Sequence, residues 1–372
     1  MNVILFFTYG ISLYDWKNSG ILDKELTIYK KLYKDNDVNF TFITYGDESD
    51  LSILGLDEKI QVLPAYKSRK FIKNKYLRFL NSLMIPFKFK KQLKKGDLYK
   101  TNQLLGSWVP IIAKILYKKP LIVRTGYDLL TFSILNKKNK IKVLFYKLLT
   151  RYSLSKCDLY IVTSKVDRDF LANNFSKFKN KIKVRPNWVS NNNKEKFSNR
   201  YDKKIISVGR LEEQKNFYEL IECISGSDYE IIIYGAGSQK TMLQNFAKEV
   251  GVSLEIKDPI DNASLLKELN KYRAYVTTSS FEGNPKAVLE AMSCGCVVIA
   301  KYNKNILEII RNNHNGFIFK DKDEVVSLLN DIVKDKNKWD LFSNRSLDSV
   351  LRNNEISKIL NDEWSDYLEL TR

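Results

Sequence analysis

The chain has 372 residues, with 62 Lys and Arg against 43 Asp and Glu, a formal net charge of +19 and 44% hydrophobic residues. That length accommodates one large or two medium domains. No apolar run approaches the ~18 residues that would span a bilayer, and the single histidine, His314, excludes mechanisms that need a His pair or a His ligand cluster. The four cysteines, Cys157, Cys223, Cys294 and Cys296, form neither a disulfide framework nor a metal-ligand spacing, and read as reduced thiols of a cytosolic protein.

The first residues, MNVILFFTYG, lack a basic flank and a small-residue cleavage site, so they read as a strand and not as a signal peptide. Further strand-like runs follow at 38–46, 59–64, 97–102, 120–126, 158–164 and 181–187, and then at 203–209, 229–235, 252–258, 274–280, 296–300 and 316–320. Most are continuous apolar, β-branched runs separated by longer helical patterns. Parallel sheets covered on both faces have this signature, and it predicts two doubly wound α/β domains. The polar stretch SNNNKEKFSNR (190–200) reads as the linker between them.

The charge is unevenly placed. Residues 1–200 carry 39 Lys and Arg against 16 Asp and Glu, whereas residues 201–372 carry 23 against 27. A compositional bias would spread over both halves; a basic surface confined to one half suits an anionic partner. Residues 67–95 hold eleven Lys and Arg, no acid, and interleaved Phe, Leu, Ile and Met. A solvated helix face is the plain reading, but cations mixed with large apolar groups favour an anionic membrane surface. Nucleic acid would accept the charge as well, yet no signature of a nucleic-acid-binding fold is present.

In open α/β sheets, ligands bind beyond the carboxyl ends of the strands. Two stretches there carry chemistry. In SSFEGNPKAVLEAMSCG (279–295), Phe281, Glu282 and Gly283 follow a strand, Pro285 suits the first helical position, and a helix runs through Glu290 to about Met292. The free N–H groups around Lys286 and Ala287 make an anion site. At ~1.5 Å per residue the two glutamates lie roughly 8 Å or more apart, too far to share a proton but suited to gripping hydroxyls at the two ends of a ligand with an anion between them. A nucleoside diphosphate sugar has that layout. In ISVGRLEEQKNFYELI (206–221), a strand ends at Gly209, Arg210 and Lys215 lie in the loop, and Asn216 can cap the next helix. A planar fork and a point charge together make a diphosphate clamp. The turn Gly235–Gly237 reads as a small-residue requirement of the fold, DKD (321–323) as helix capping and not a metal pair, and His314 as a turn residue.

Across residues 203–320, VGRLEEQKN together with SSFEGNPKAVLEAMSCGCVVIA resembles the family-four retaining nucleotide-sugar glycosyltransferases, which have the GT-B fold. PNW (186–188) resembles the segment that closes their N-terminal domain. The resemblance implies two Rossmann-like domains facing across a cleft, an acceptor-side domain over 1–188, a nucleotide-sugar domain over 189–350, and a helix over 351–372 that returns to the first domain. It implies that Arg210 and Lys215 hold the donor diphosphate, Glu290 the ribose and Glu282 the transferred sugar. Gly209, Gly283, Asn284, Pro285, Lys286 and Ala287 would line the donor site, and Asp258 and Ile260 would meet the base. Catalysis would fall to Arg210, Lys215 and Glu282, with neither metal nor cofactor beyond a UDP- or GDP-linked sugar. The diphosphate would leave, the acceptor hydroxyl would attack from the same face, and a phosphate oxygen would take its proton. The first loop of many relatives is Gly-Gly; here Gly10, on the donor side, and Ser12, an acceptor-side candidate, stand nearest. Where many relatives carry a His, this chain reads RTGYD, leaving Arg124, Tyr127 and Asp128 as acceptor-side candidates. The expected acceptor is lipid-linked or a growing surface glycan, with the protein peripheral on the inner face of the cytoplasmic membrane. A soluble synthase acting on a small sugar or sugar phosphate would not need the basic apolar segment. A nucleic-acid-binding protein would leave the glutamates and the Arg/Lys pair without purpose.

Overall fold

The computed structural model describes residues 1–53, 60–66, 74–126, 128–135, 139–190 and 194–372. Two compact units emerge, Met1–Pro186 with Leu360–Arg372, and Asn187–Ile359. The first is built on β1 (Asn2–Phe6), β2 (Asn39–Thr44), β3 (Ile60–Pro64), β4 (Leu98–Thr101), β5 (Leu121–Arg124), β6 (Leu159–Val162) and β7 (Ile182–Val184). The second is built on β8 (Lys204–Val208), β9 (Glu230–Tyr234), β10 (Leu254–Lys257), β11 (Ala274–Thr277), β12 (Val297–Lys301) and β13 (Phe317–Phe319). The sheet orders are β3-β2-β1-β4-β5-β6-β7 and β10-β9-β8-β11-β12-β13, and the neighbours pair in parallel. Each order reverses once, between β1 and β4 and between β8 and β11, and ligands of such sheets bind at that reversal.

All thirteen strand-like runs become strands, mostly shorter than the sequence pattern suggests. The run at 274–280 shows why. Its ladder stops at Thr277, and Thr278 turns away to donate its hydroxyl to the carbonyls of Lys215 (3.2 Å) and Asn216 (2.8 Å). The continuous apolar runs follow from burial on both faces. In the second unit Ile205, Ile231, Ile233, Val276, Val297 and Ile299 point into one core. Their alternate neighbours Ile206, Ile232, Tyr275, Val298 and Ala300 point into the other. Each fully buried Val, Leu or Ile contributes ~1.5–3 kcal/mol, so the helices on both sides are held by the same strands.

Of the stretch at 190–200, residues 191–193 lie outside the described ones, and residues 194–200 belong to the second unit. The change of unit falls earlier, at Pro186–Asn187. Arg200 is buried, and its guanidinium donates to the carbonyls of Tyr272 (2.8 Å) and Cys294 (2.7 Å). The polarity of this stretch is therefore mixed: Glu195, Lys196, Ser198 and Asn199 face solvent, whereas Arg200 is buried among carbonyl partners.

The helix Ile356–Thr371 begins in the second unit and completes the first. Within the first unit Glu363 pairs with Lys100 of β4, both buried, and Tyr367 donates its hydroxyl to Glu363. Burial pulls the Lys100 ammonium below its usual range, with the Glu363 carboxylate opposing that shift. Asp366, also buried, takes Arg185 through both carboxylate oxygens (2.9 and 2.8 Å) and Lys183 at 3.1 Å. Removing one partner of a buried pair strands the other charge in a low dielectric. Glu363→Ala is therefore expected to lower stability by about 3–5 kcal/mol in urea unfolding. The double variant Lys100→Met/Glu363→Leu should regain more than half of that loss.

Candidate active site

The second unit brings the two motifs together at the reversal between β8 and β11. The loops leaving these strands are sewn to each other. Ser280 donates its N–H to the Gln214 carbonyl (3.1 Å), and the Gln214 amide donates to the Phe281 carbonyl (2.9 Å). Lys215 forms an ion pair with Glu282 at 2.5 Å, and both side chains are largely shielded from solvent. Residues 67 positions apart are thereby fixed side by side.

The loop after β9 completes the platform. Leu211 N–H bonds the Ala236 carbonyl (2.9 Å), Gln239 N–H bonds the Leu211 carbonyl (3.1 Å), and Ser238 N–H donates to the Glu212 carboxylate (3.0 Å). A Cβ on Gly235 would collide with the Gly209 carbonyl, and one on Gly237 with the Leu211 backbone. Both glycines are needed for backbone approach, in line with their reading as fold residues.

Charge is distributed unequally over these loops. Asn216 heads the helix Phe217–Ile224 in a left-handed conformation (φ 51°), but its side chain does not cap that helix. Instead its amide donates to Glu219, which also pairs with Lys301 of β12. The expected Asn216 cap is thus replaced by an acid in the first turn, where a negative charge meets the helix dipole. Arg210 stays exposed, with a 3.5 Å contact to Gln214.

The helix Lys286–Ser293 starts one residue later than the sequence suggests, with Pro285 at the N-cap and no side-chain cap. The first turn at Lys286 and Ala287 presents backbone N–H groups without an intrahelical acceptor. Glu290 lies farther along, 6% exposed, and accepts a hydrogen bond from the Asn262 amide at 2.7 Å. Asn262 opens the helix Asn262–Leu269, which Asp261 caps through the Ser264 N–H (2.9 Å). Asp258 is exposed and pairs with Lys240 at 3.0 Å, while Ile260 packs on the core beneath. Gly283 is buried in the turn, and Asn284 bonds Asn187.

In the first unit the donor-side candidate Gly10 and the acceptor-side candidates lie at or after the ends of β1 and β5. Gly10 takes φ 81°, a conformation that favours glycine, with open space where a Cβ would stand. Ser12 is buried and caps the helix Leu13–Asn18 in a reciprocal box with Asp15. Asp128 is fully buried, and one carboxylate oxygen accepts from the Thr131 N–H (2.6 Å) and hydroxyl (2.7 Å). Burial pushes its carboxyl above the usual range, with the Thr131 hydrogen bonds opposing. Arg124 is half-buried at the end of β5, near enough for its charge to act on Glu363 and Lys100. Tyr127 lies outside the described residues.

Sequence reasoning missed Asn262, Gln214 and Asn187, which orient the named residues. Only the Asp261–Ser264 cap spacing pointed to the first of them. It also missed a second apolar face. The helix Lys140–Lys156 exposes Ile141, Leu144, Phe145, Leu148 and Tyr152, spaced along one side. The helix Lys75–Lys88 exposes Tyr76, Leu77, Phe79, Leu80, Met84 and Phe87. Ile85 and Phe89 of the same basic stretch are buried, and residues 67–73 lie outside the described ones.

Residues 189–347 match the family model for glycosyl transferases group 1. An N-acetylgalactosamine-N,N'-diacetylbacillosaminyl-diphospho-undecaprenol 4-alpha-N-acetylgalactosaminyltransferase from Campylobacter jejuni is 26% identical over 247 residues, 62% of this chain. The match spans 65% of that relative, a little under two thirds of its length. Among solved structures, sucrose-phosphate synthase from Thermosynechococcus elongatus superposes with a TM-score of 0.82 at 14% identity, over 100% of this chain and 99% of that one. Anabaena HepE in complex with UDP and glucose gives 0.75 at 16% identity, over 99% and 100%. These likenesses establish the GT-B fold. The second unit, over residues 189–347, thus matches the group 1 glycosyl transferases, within a chain that has the GT-B fold throughout.

Proposed function

We propose that the protein transfers a sugar from a nucleoside diphosphate donor, with retention of configuration, to a lipid-linked or surface-glycan acceptor. The observation that carries this reading is the convergence of Arg210, the Lys215–Glu282 pair, the uncapped start of the helix Lys286–Ser293 and buried Glu290 at one sheet reversal. The donor diphosphate lies against the helix N-terminus and Arg210, and competes with Glu282 for Lys215. Glu282, so released, turns to the sugar hydroxyls, and Glu290, oriented by Asn262, takes the ribose. Asp258 and Ile260 flank the base. As the bond to the anomeric carbon breaks, charge grows on the leaving diphosphate, and Arg210, Lys215 and the helix N–H groups stabilise it more than they stabilise the ground state. A diphosphate oxygen accepts the acceptor hydroxyl's proton. Arg124 is the acceptor-side group we favour, since Ser12 and Asp128 are committed to capping.

The test is a panel of UDP- and GDP-sugars, read by nucleotide release. One sugar donor is expected to turn over, and turnover should persist in EDTA because protein groups carry the leaving charge. Glu290→Ala should weaken binding of the matching nucleotide by ~1.5–3 kcal/mol with the fold intact, measured by calorimetry. Arg210→Ala and Lys215→Ala should lower kcat more than they lower melting temperature. A double variant with near-normal turnover would rule out the diphosphate clamp.

For the acceptor we propose an anionic membrane surface on the first unit. Residues 74–156 hold 19 Lys and Arg against two Asp, and the two exposed apolar helix faces lie within this span. Among the described residues no helix is long and apolar enough to cross a membrane; the association we propose is peripheral, at the cytoplasmic face. Lys88 is engaged with the Ala65 carbonyl (2.5 Å), so Lys90, Lys91 and Lys94 are the better probes. Binding to vesicles containing anionic lipid should weaken with salt, at ~1 kcal/mol per cation near the surface. Changing these three lysines to Glu should abolish it while leaving nucleotide binding unchanged. Equal binding to neutral vesicles, or none at low salt, would favour a soluble acceptor.

A further inference from the structure

The turn Gly283-Asn284-Pro285 separates Glu282 from the start of the helix Lys286–Ser293, so any shift of this turn moves both. Its two ends are differently supported. On the Phe281 side, Gln214 holds the backbone (2.9 Å). On the other, Pro285 has no N–H to donate, and the helix start has no side-chain cap. The hold there comes from Asn187, 97 positions away. Its backbone N–H donates to the Asn284 side-chain oxygen (2.8 Å), and its own amide donates to the Asn284 carbonyl (2.5 Å). The Asn354 amide in turn donates to the Asn187 carbonyl (2.7 Å). Asn187 and Asn354 are 4% and 6% exposed.

We infer that Asn187 is a positioning residue of the nucleotide-sugar site, which acts through Asn284 to hold Glu282 and the anion-binding helix start in register. The inference rests on the donor site proposed above. Two head-to-tail bonds between buried Asn187 and half-buried Asn284 admit one geometry, because a reversed Asn187 amide would set oxygen against the Asn284 carbonyl. They also terminate on the turn itself and not on the sheet. A misplacement of about 1 Å at such a turn is enough to cost a large factor in productive binding. The clasp has a further attachment. Val189 N–H bonds the Asn354 carbonyl (2.8 Å), and Ile356 N–H bonds the Val189 carbonyl (3.1 Å). The chain just after Pro186 is therefore bonded to the turn through Asn187 and to the chain just before Leu360 through Val189 and Asn354.

The experiment measures binding of UDP-glucose, UDP-N-acetylglucosamine, GDP-mannose, UMP and GMP by calorimetry. It compares the wild type with Asn187→Ala, Asn187→Ser and Asn187→Asp, and with Glu290→Ala. For the nucleotide sugar that binds, the Asn187 variants should lose roughly tenfold in affinity. The matching monophosphate should lose less than about threefold, because the ribose grip at Glu290 lies beyond the turn. Asn187→Asp keeps the size but sets a carboxylate oxygen against the Asn284 carbonyl, so it should be no better than Asn187→Ala. A general loss of stability would move both ligands together. An unchanged ratio of the two affinities in Asn187→Ser and Asn187→Asp, with Glu290→Ala still impaired, overturns the inference alone. Failure of every nucleotide to bind the wild type, or an unimpaired Glu290→Ala, overturns the donor site and the inference with it.

Discussion

The candidate site depends on one constraint: β8 and β11 are neighbours that run the same way, with Tyr275 opposite Ile206. Their loops must then leave the sheet side by side, and every named group of the second unit is placed by that adjacency. The Gln214 and Thr278 hydrogen bonds turn adjacency into a fixed geometry. The close backbone approach at Gly235 and Gly237 brings the loop after β9 onto the same platform. Side chains that must meet a ligand are thus mounted on backbone that already has its own partners.

The same platform carries its own charges unevenly. Two helices begin there, but they are not equivalent. At Phe217–Ile224 the first turn already holds Glu219, which two donors satisfy. At Lys286–Ser293 no acid stands in the first turn and no side chain caps it. Lys215 is matched by Glu282, whereas Arg210 is exposed and in contact with a neutral amide. The start of Lys286–Ser293 and the Arg210 guanidinium thus differ in their surroundings from the start of Phe217–Ile224 and from Lys215.

Much of this was legible in the sequence, for reasons that differ by element. The strands were readable because both faces are buried, which forces unbroken apolar runs such as Ile231–Ile233. The two motifs were readable because residues that take ligands at strand ends stand out against such runs. The strand limits were not, since a polar residue such as Thr278 looks alike whether it continues a ladder or bonds a loop. Arg200 misled for a related reason: polarity alone cannot tell a solvated linker from a buried guanidinium with carbonyl partners. Asn216 and Asn262 had to be seen, because their roles are set by partners, Glu219 and Glu290, on other elements. The apolar face of Lys140–Lys156 was hidden in a pattern that covers the helix nearly all round.

The Lys100–Glu363 pair has a bearing on biosynthesis. Lys100 lies in the fourth of seven strands, and its partner follows 263 residues later. At synthesis rates of roughly 5–20 residues per second, the N-terminal sheet waits about 13–50 s for the carboxylate that neutralises its central lysine. In that interval a closed core would enclose a naked ammonium, so the nascent sheet has reason to remain open at β4, with Tyr29 and Tyr99 accessible to the folding machinery. The last-made segment of the chain, Leu360–Arg372, thus belongs to the unit whose other residues are made first.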